Sequence, residues 1–153
     1  RLLKALGIWV EVTTLVVPGR NDSPEEMRAI ARFLSHDVGR DTPWHISRFF
    51  PAYKMSDLPP TDISTLHEAR LIGLEEGLDF VYIGNVPGAQ GQNTFCPGCS
   101  CPLIIRDGLF MMANHTVAGR CPRCGRPLVG VGLDWQEEAP AKKGDDRAVK
   151  TTV

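Results

Sequence analysis

The feature that most constrains this chain is a pair of Cys-x-x-Cys motifs, Cys96-Pro-Gly-Cys99 and Cys121-Pro-Arg-Cys124. Each motif places two thiolates on one tight turn, where backbone N–H groups can point at sulfur and offset its charge. Between the motifs, two short apolar segments (103–106 and 109–112) flank Asp107-Gly108, which is typical of a β-hairpin. The hairpin would bring the motifs together. The spacing therefore predicts a zinc-ribbon-like metal site with four ligands, Cys96, Cys99, Cys121 and Cys124.

Zinc is the metal we expect, because this spacing is commonest with zinc, although four thiolates also suit iron in a rubredoxin-like centre. Cys101, which lies at the start of the next strand, is predicted to be a free thiol outside the site. His115 is predicted to be a solvated loop histidine, because four cysteines already complete a tetrahedron. A closed site has no open coordination position, so we expect it to stabilise structure and not to activate water.

Charge and hydropathy exclude several functional classes. The 153 residues include 17 lysines and arginines against 18 acidic residues, and this balance gives no field to hold nucleic acid or an anionic membrane. No apolar run approaches the roughly 18 residues that a membrane span needs, and no signal peptide is apparent. We therefore expect a cytoplasmic protein with neither a membrane nor a nucleic-acid partner. In that reducing compartment cysteines serve as metal ligands and not as disulfides.

The residues before the cysteines alternate between strand and helix patterns. The predicted elements are a first strand over 8–17 buried on both faces, a helix capped by Ser23 and running to about His36, a strand over 44–49, a helix from Thr61 or Asp62 to about Gly77, and a strand over 78–83. This order indicates a parallel α/β sheet with right-handed crossovers. Because three strands and two helices make a poor core, the expected fold class is α/β, as the C-terminal part of a partial (β/α) barrel followed by the hairpin domain.

This pattern divides the chain into four segments. Residues 1–85 are the α/β part, 86–95 a glycine-rich connector, 96–132 the four-cysteine domain and 133–153 a charged tail predicted to be disordered. The opening residues, Arg1 to Gly7, have the pattern of the last turns of an amphipathic helix, with no initiator methionine. We expect the chain to be a fragment whose N-terminal barrel half is missing.

Over about residues 1–132 the sequence resembles a known family. The stretches that carry the resemblance are Glu11-Val-Thr-Thr-Leu-Val-Val-Pro-Gly-Arg-Asn-Asp-Ser23, Trp44-His-Ile-Ser-Arg-Phe-Phe-Pro-Ala-Tyr-Lys-Met55, Val81-Tyr-Ile-Gly-Asn-Val-Pro-Gly88 and the two cysteine motifs, in that order. They are similar to the C-terminal half of the AmmeMemoRadiSam-system radical SAM enzymes, relatives of pyruvate formate-lyase activating enzyme. Phe50 stands where that family often has histidine, and Ser100 where it has glycine.

The resemblance implies that the upstream half binds a 4Fe-4S cluster through a C-x-x-x-C-x-x-C motif and cleaves S-adenosylmethionine reductively to a radical. That motif is absent from this sequence, so the chain alone is not expected to start the chemistry, and no catalytic residue is assigned. Parallel α/β folds gather ligands at the C-terminal ends of strands. The predicted cofactor-binding residues are accordingly Thr13, Thr14, His45, Ser47 and Arg48. A structural role stays open, as β-branched strand residues for the threonines and as a salt bridge for Arg48.

The expected function is the C-terminal portion of a radical SAM enzyme that activates or modifies a protein partner. Two alternatives are a stand-alone zinc-ribbon binding module and a rubredoxin-like electron carrier. The enzyme fragment predicts exposed apolar surface at the edge of the sheet formed by the first strand, whereas the stand-alone module predicts a covered edge. The electron carrier requires iron in the four-cysteine site.

Overall fold

The computed structural model describes residues 1–133; of the tail predicted over 133–153, all but its first residue lies outside this range. The helices are α1 (Leu2–Ala5), α2 (Pro24–Arg32), which continues as a π-helical stretch (Phe33–Gly39), and α3 (Ile63–Glu75). The strands are β1 (Val12–Val16), β2 (Trp44–Arg48), β3 (Val81–Gly84), β4 (Thr94–Phe95), β5 (Pro102–Asp107) and β6 (Phe110–Asn114). Short 3-10 turns lie at Tyr53–Met55 and Gln90–Gln92. No helix within residues 1–133 is both long and apolar enough to cross a membrane.

Two three-stranded sheets organise these elements. β1, β2 and β3 lie side by side in chain order and are parallel, with Val12 opposite Trp44 and Trp44 opposite Val81. β4, β5 and β6 form an antiparallel sheet in which β5 and β6 make the hairpin between the cysteine motifs. The predicted mixed α/β class, the parallel sheet and the hairpin are confirmed.

The core lies between one face of the parallel sheet and helices α2 and α3. On the sheet side Val16, Trp44, Ile46 and Ile83 are at most 1% exposed. The helices contribute Met27, Ala31, Leu66, Ala69 and Ile72. The apolar spacing read from the sequence of α2 therefore does face the sheet, as helical periodicity requires.

The opposite face of the parallel sheet carries no helix within the described residues. The prediction that the first strand is buried on both faces is wrong. β1 is five residues long and alternates in exposure, and Leu15 on the open face is 47% exposed. Among residues 1–133, β1 is also an edge strand that pairs only with β2. The apolar run misled the prediction because a run of β-branched residues does not reveal whether both faces find a covering layer.

The first turns of α2 and α3 are held in different ways. The Ser23 hydroxyl is the N-cap of α2: it accepts a hydrogen bond from the Glu26 backbone N–H (3.3 Å) and donates one to the Glu26 carboxylate (3.1 Å). Asp62 is the N-cap of α3 but makes no side-chain cap bond. Thr61, the other predicted cap, is instead buried, and its hydroxyl donates to the Val16 carbonyl (2.5 Å). It therefore ties the end of β1 to the loop that precedes α3.

Candidate metal centre and open sheet face

The four predicted ligands form one cluster. The sulfur atoms of Cys96, Cys99, Cys121 and Cys124 all lie within 4.8 Å of one another, and two of the distances, Cys96–Cys124 and Cys99–Cys121, are 3.6 Å. A tetrahedral metal with bonds to sulfur of about 2.3 Å requires sulfur–sulfur distances of ~3.8 Å. The cluster therefore has the size of a tetrathiolate site and could hold a metal ion such as zinc or iron.

Both motifs fold by the same backbone pattern. After the first motif, Ser100 N–H donates to the Cys96 carbonyl (2.8 Å); after the second, Gly125 N–H donates to the Cys121 carbonyl (2.9 Å). Each of these two turn residues has positive φ, +56° at Ser100 and +72° at Gly125. Glycine adopts this conformation freely, whereas serine there costs about 1 kcal/mol. Serine at position 100 thus retains the turn at a small energetic cost.

The thiols of the cluster influence one another's protonation. Burial raises the pKa of Cys121, but backbone N–H groups of Cys124 and Arg123 and the thiols of Cys96 and Cys99 lower it more strongly, to about 6. At Cys99 the backbone N–H of Cys101 lowers the pKa, but burial and bonding to the other thiols raise it to about 12. The thiols of the cluster therefore do not lose their protons independently of one another. A metal ion would compensate four thiolates together, as such sites require.

The two spare candidates lie outside the cluster. The Cys101 sulfur is not among the clustered atoms, and the residue is partly buried next to the Pro102 carbonyl. Burial raises the pKa of the Cys101 thiol, which keeps it protonated. The His115 side chain is exposed, and its backbone N–H donates to Leu103. Neither position contradicts the predictions made for these residues.

The five predicted cofactor residues divide between the two faces of the parallel sheet. Thr13, His45 and Ser47 lie on the open face, where Thr13 is the register partner of His45. Thr14 and Arg48 lie on the helix-covered face. The Thr14 hydroxyl accepts the Trp44 indole N–H (2.9 Å). Their role as cofactor contacts stays a prediction for all five residues.

Arg48 has structural partners of its own. Its Nε donates to the Thr61 carbonyl (2.8 Å), and its guanidinium lies 4.9 Å from the centre of the Phe50 ring. Within residues 1–133 it makes no ion pair with a carboxylate, so the salt bridge considered above does not form there. The Phe50 ring thus provides a surface for the arginine.

A polar network that the sequence did not predict joins the open face to the four-cysteine unit. Glu11 bonds His45 (Oε2 to Nε2, 2.8 Å), and the His45 ring stacks on Tyr82 at 5.1 Å. The Tyr82 hydroxyl bonds Thr94 (2.9 Å), which also accepts from Arg106 Nη1 (2.8 Å). One signal was available: Glu11, Thr13 and Leu15 alternate and must share a face of a strand. No comparable signal in the sequence pointed to Thr94 in β4 or Arg106 in β5.

A groove of about 980 Å³ lies between the open face and the four-cysteine unit. Residues of both sheets line it, including Glu11, His45 and Arg106 from the network. The two walls, one from the parallel sheet and one from the hairpin and the segment after the second motif, therefore border this polar network.

Comparison with known proteins yields one informative relative. The uncharacterized protein MJ0808 of Methanocaldococcus jannaschii is 55% identical over 131 residues, which are 84% of this chain. They are 39% of the relative, so the chain spans about two fifths of the length of the protein it matches. No family model matches the chain, and no solved structure matches it.

Proposed function

We propose that this chain is the C-terminal part of a radical SAM enzyme. In this proposal the parallel sheet forms the closing wall of a partial (β/α) barrel, and the four cysteines hold zinc in a ribbon-like structural site. One observation carries the proposal: helices cover one face of the parallel sheet, while the other face presents Thr13, His45 and Ser47 without a covering helix. In a barrel the helices lie outside, and the uncovered face points into the cavity where the substrate is held.

The edge of the sheet supports the same proposal. β1 has no neighbour on its outer side within the described residues. Leu15 on its open face and Ile8, four residues before its start, are 47% and 48% exposed. A barrel that continues beyond β1 would cover these side chains, whereas a stand-alone zinc-ribbon module needs a protected edge. The greater length of the M. jannaschii relative is compatible with such a continuation.

Within this proposal each part of the chain has a distinct role. Reductive cleavage of S-adenosylmethionine takes place at a 4Fe-4S cluster held by the missing N-terminal half. Thr13 and Ser47 on the open face offer hydroxyl groups to the cofactor. A Cβ at Gly84 would lie 2.9 Å from the Ser47 hydroxyl, so glycine at this position keeps that hydroxyl accessible. The enzyme then acts on a protein partner.

A chimera tests the proposal. This chain would replace the matching 131 residues of the M. jannaschii relative, and the product would be reconstituted anaerobically with iron and sulfide. We expect the chimera to release 5′-deoxyadenosine from S-adenosylmethionine when a strong reductant is added. Ser47→Val should weaken S-adenosylmethionine binding, and Ser64→Val, an exposed position on the outer helix α3, is the matched control.

Two results would overturn the proposal. A folded chimera that binds no iron–sulfur cluster, or one that releases no 5′-deoxyadenosine, would leave the chain as a binding module. Elemental analysis and an absorption spectrum of the isolated chain distinguish a structural zinc site from a rubredoxin-like electron carrier. Zinc with no visible absorption fits the structural site, whereas iron with visible bands indicates an electron carrier.

A further inference from the structure

The groove between the two sheets has the properties of a ligand site. Its volume, about 980 Å³, falls at the upper end of the range for sites that bind drug-sized molecules. The lining is largely apolar, with Trp9 and Phe50 on the side of the parallel sheet and Leu109, Val129 and Val131 on the side of the four-cysteine unit. Leu109 and Val131 are 101% and 77% exposed, so these walls are uncovered within the described residues.

The polar groups of the network in this groove mostly bond one another. Glu11 accepts the Trp9 indole N–H at Oε1 and bonds His45 Nε2 at Oε2, both at 2.8 Å. Arg106 Nη1 donates to the Gln92 carbonyl and to Thr94, and Tyr82 bonds Thr94. The charge of Glu11 is balanced by the nearby Arg106. Asp107 also lines the groove, but it is exposed and lies outside this network. The network itself therefore offers no uncompensated charge to a ligand.

Within this network one ring nitrogen, on His45, is left without a partner among residues 1–133. Burial raises the pKa of Glu11, but the hydrogen bonds from Trp9 and His45 and the charge of Arg106 lower it more, so the group is a carboxylate. A carboxylate only accepts hydrogen bonds, and the proton shared with His45 must therefore sit on Nε2. In the neutral ring Nδ1 then carries a bare lone pair. No hydrogen bond reaches Nδ1 from any residue in the range 1–133.

We propose that the groove binds a neutral ligand that has an apolar, ring-sized body and one hydroxyl or N–H group, which donates a hydrogen bond to Nδ1 of His45. Glu11 is the positioning residue that selects the tautomer, and Trp9 fixes the orientation of Glu11. The apolar body of the bound ligand would exclude water from the contact, which makes a correctly paired hydrogen bond selective. This inference goes beyond the proposed function and uses no step of the radical chemistry.

Three naphthalenes substituted at the same ring carbon test the assignment. Naphthol can donate a hydrogen bond, acetylnaphthalene can only accept one, and methylnaphthalene can neither donate nor accept one. Binding to the zinc-loaded chain is measured at about pH 8, where an ordinary imidazole is neutral. We expect naphthol to bind about fivefold more tightly than methylnaphthalene, the size of one neutral hydrogen bond. Acetylnaphthalene should show no such advantage.

Glu11→Gln gives the sharper test because it should invert the preference. The Trp9 N–H requires the amide oxygen on its side, so the amide NH₂ faces His45 and must donate to Nε2. The ring then carries its proton on Nδ1 and becomes a donor. The variant should prefer acetylnaphthalene over methylnaphthalene. Glu68→Gln, at an exposed position of α3, is the control and should bind like the unmodified chain.

Long-range ¹⁵N–¹H NMR of the imidazole reports the tautomer directly, without any enzymatic activity. We expect the proton of His45 on Nε2 in the unmodified chain and on Nδ1 in Glu11→Gln. A proton on Nδ1 in the unmodified chain overturns the proposal. So does absence of naphthalene binding, or equal binding of naphthol and methylnaphthalene. A chimera that fails to cleave S-adenosylmethionine would contradict the proposed function and leave this result untouched.

Discussion

Two buried threonines allow the value of a satisfied hydroxyl to be measured within one protein. Thr61 and Thr42 are 1% and 0% exposed. The Thr61 hydroxyl donates to the Val16 carbonyl at 2.5 Å and accepts the Phe49 N–H at 3.0 Å. The Thr42 hydroxyl is buried with no hydrogen-bond partner among residues 1–133. Threonine to valine replaces the hydroxyl by a methyl group of similar size, so the same substitution should give different results at the two sites.

The expected magnitudes follow from the partners that each substitution leaves behind. Thr61→Val strands a backbone carbonyl and an N–H in the interior, each worth about 1–2 kcal/mol, so the variant should lose about 2–4 kcal/mol of unfolding free energy. Thr42→Val strands nothing and removes a hydroxyl whose burial is already unfavourable. We expect that variant to be as stable as the unmodified chain, or more stable by about 1 kcal/mol.

Urea unfolding followed by tryptophan fluorescence measures both variants, since Trp44 lies in the same core. Zinc is kept saturating in every sample, so that metal binding contributes equally. The slope of the free energy against urea should be unchanged, which shows that the folded and unfolded states are comparable. Equal destabilisation by the two substitutions would refute the reasoning, because it would mean that loss of shape and not loss of hydrogen bonds determines the cost.

Three further predictions concern the metal site, the core and pH. Cys121→Ser should weaken zinc binding about a hundredfold or more in a chelator competition, since one of four thiolates carries about a quarter of a binding energy of ~12 kcal/mol, whereas Cys101→Ser should leave zinc affinity unchanged. Gly73→Ala should destabilise the fold by about 1–3 kcal/mol in urea, despite better helix propensity, because the added Cβ would lie 3.0 Å from the buried Trp44 ring. The pKa of Glu11 is lowered from 4.5, so its stabilising contribution is present above that pH and is lost as the pH falls through the lower folded-state value. Unfolding midpoints should therefore fall more steeply with acid in the unmodified chain than in Glu11→Gln, and parallel curves would contradict the assignment.

The metal centre was predictable because its information is local in the sequence. Two ligands per turn are fixed by the spacing Cys96 to Cys99, and by the same spacing in the second motif. The turn at Gly108, which has a φ of +58°, requires a residue that tolerates a left-handed backbone, and this identified the hairpin. Four side chains were thus brought together by rules that act over a few residues. The ion itself was not determined, because zinc and iron accept the same four thiolates at similar distances.

The strand order was also readable, but the exposure of its first strand was not. Strand, helix and strand in succession require a parallel sheet with neighbouring strands, which β1, β2 and β3 form. Burial is different, because it depends on a second layer that no local pattern specifies. Leu15 and Val16 are adjacent and both apolar, yet one is 47% and the other 0% exposed. Val16 is buried because it faces the helices, and Leu15 is exposed because it faces the other side of the sheet.

The polar network shows why contacts between the two sheets escaped the sequence. Thr94 was predicted to lie in the glycine-rich connector and Arg106 in a strand of the hairpin, while Tyr82 was predicted only as part of the third strand. Their contact arises because β4 runs directly into the first metal ligand: Thr94 lies two residues before Cys96, whose backbone N–H bonds the Cys101 carbonyl at 2.8 Å. The turn that positions the ligand therefore also positions the hydroxyl that holds Tyr82 and Arg106. A four-cysteine site with a structural role therefore also shapes the ligand groove. It fixes the wall of the groove that faces His45 and its unpaired Nδ1.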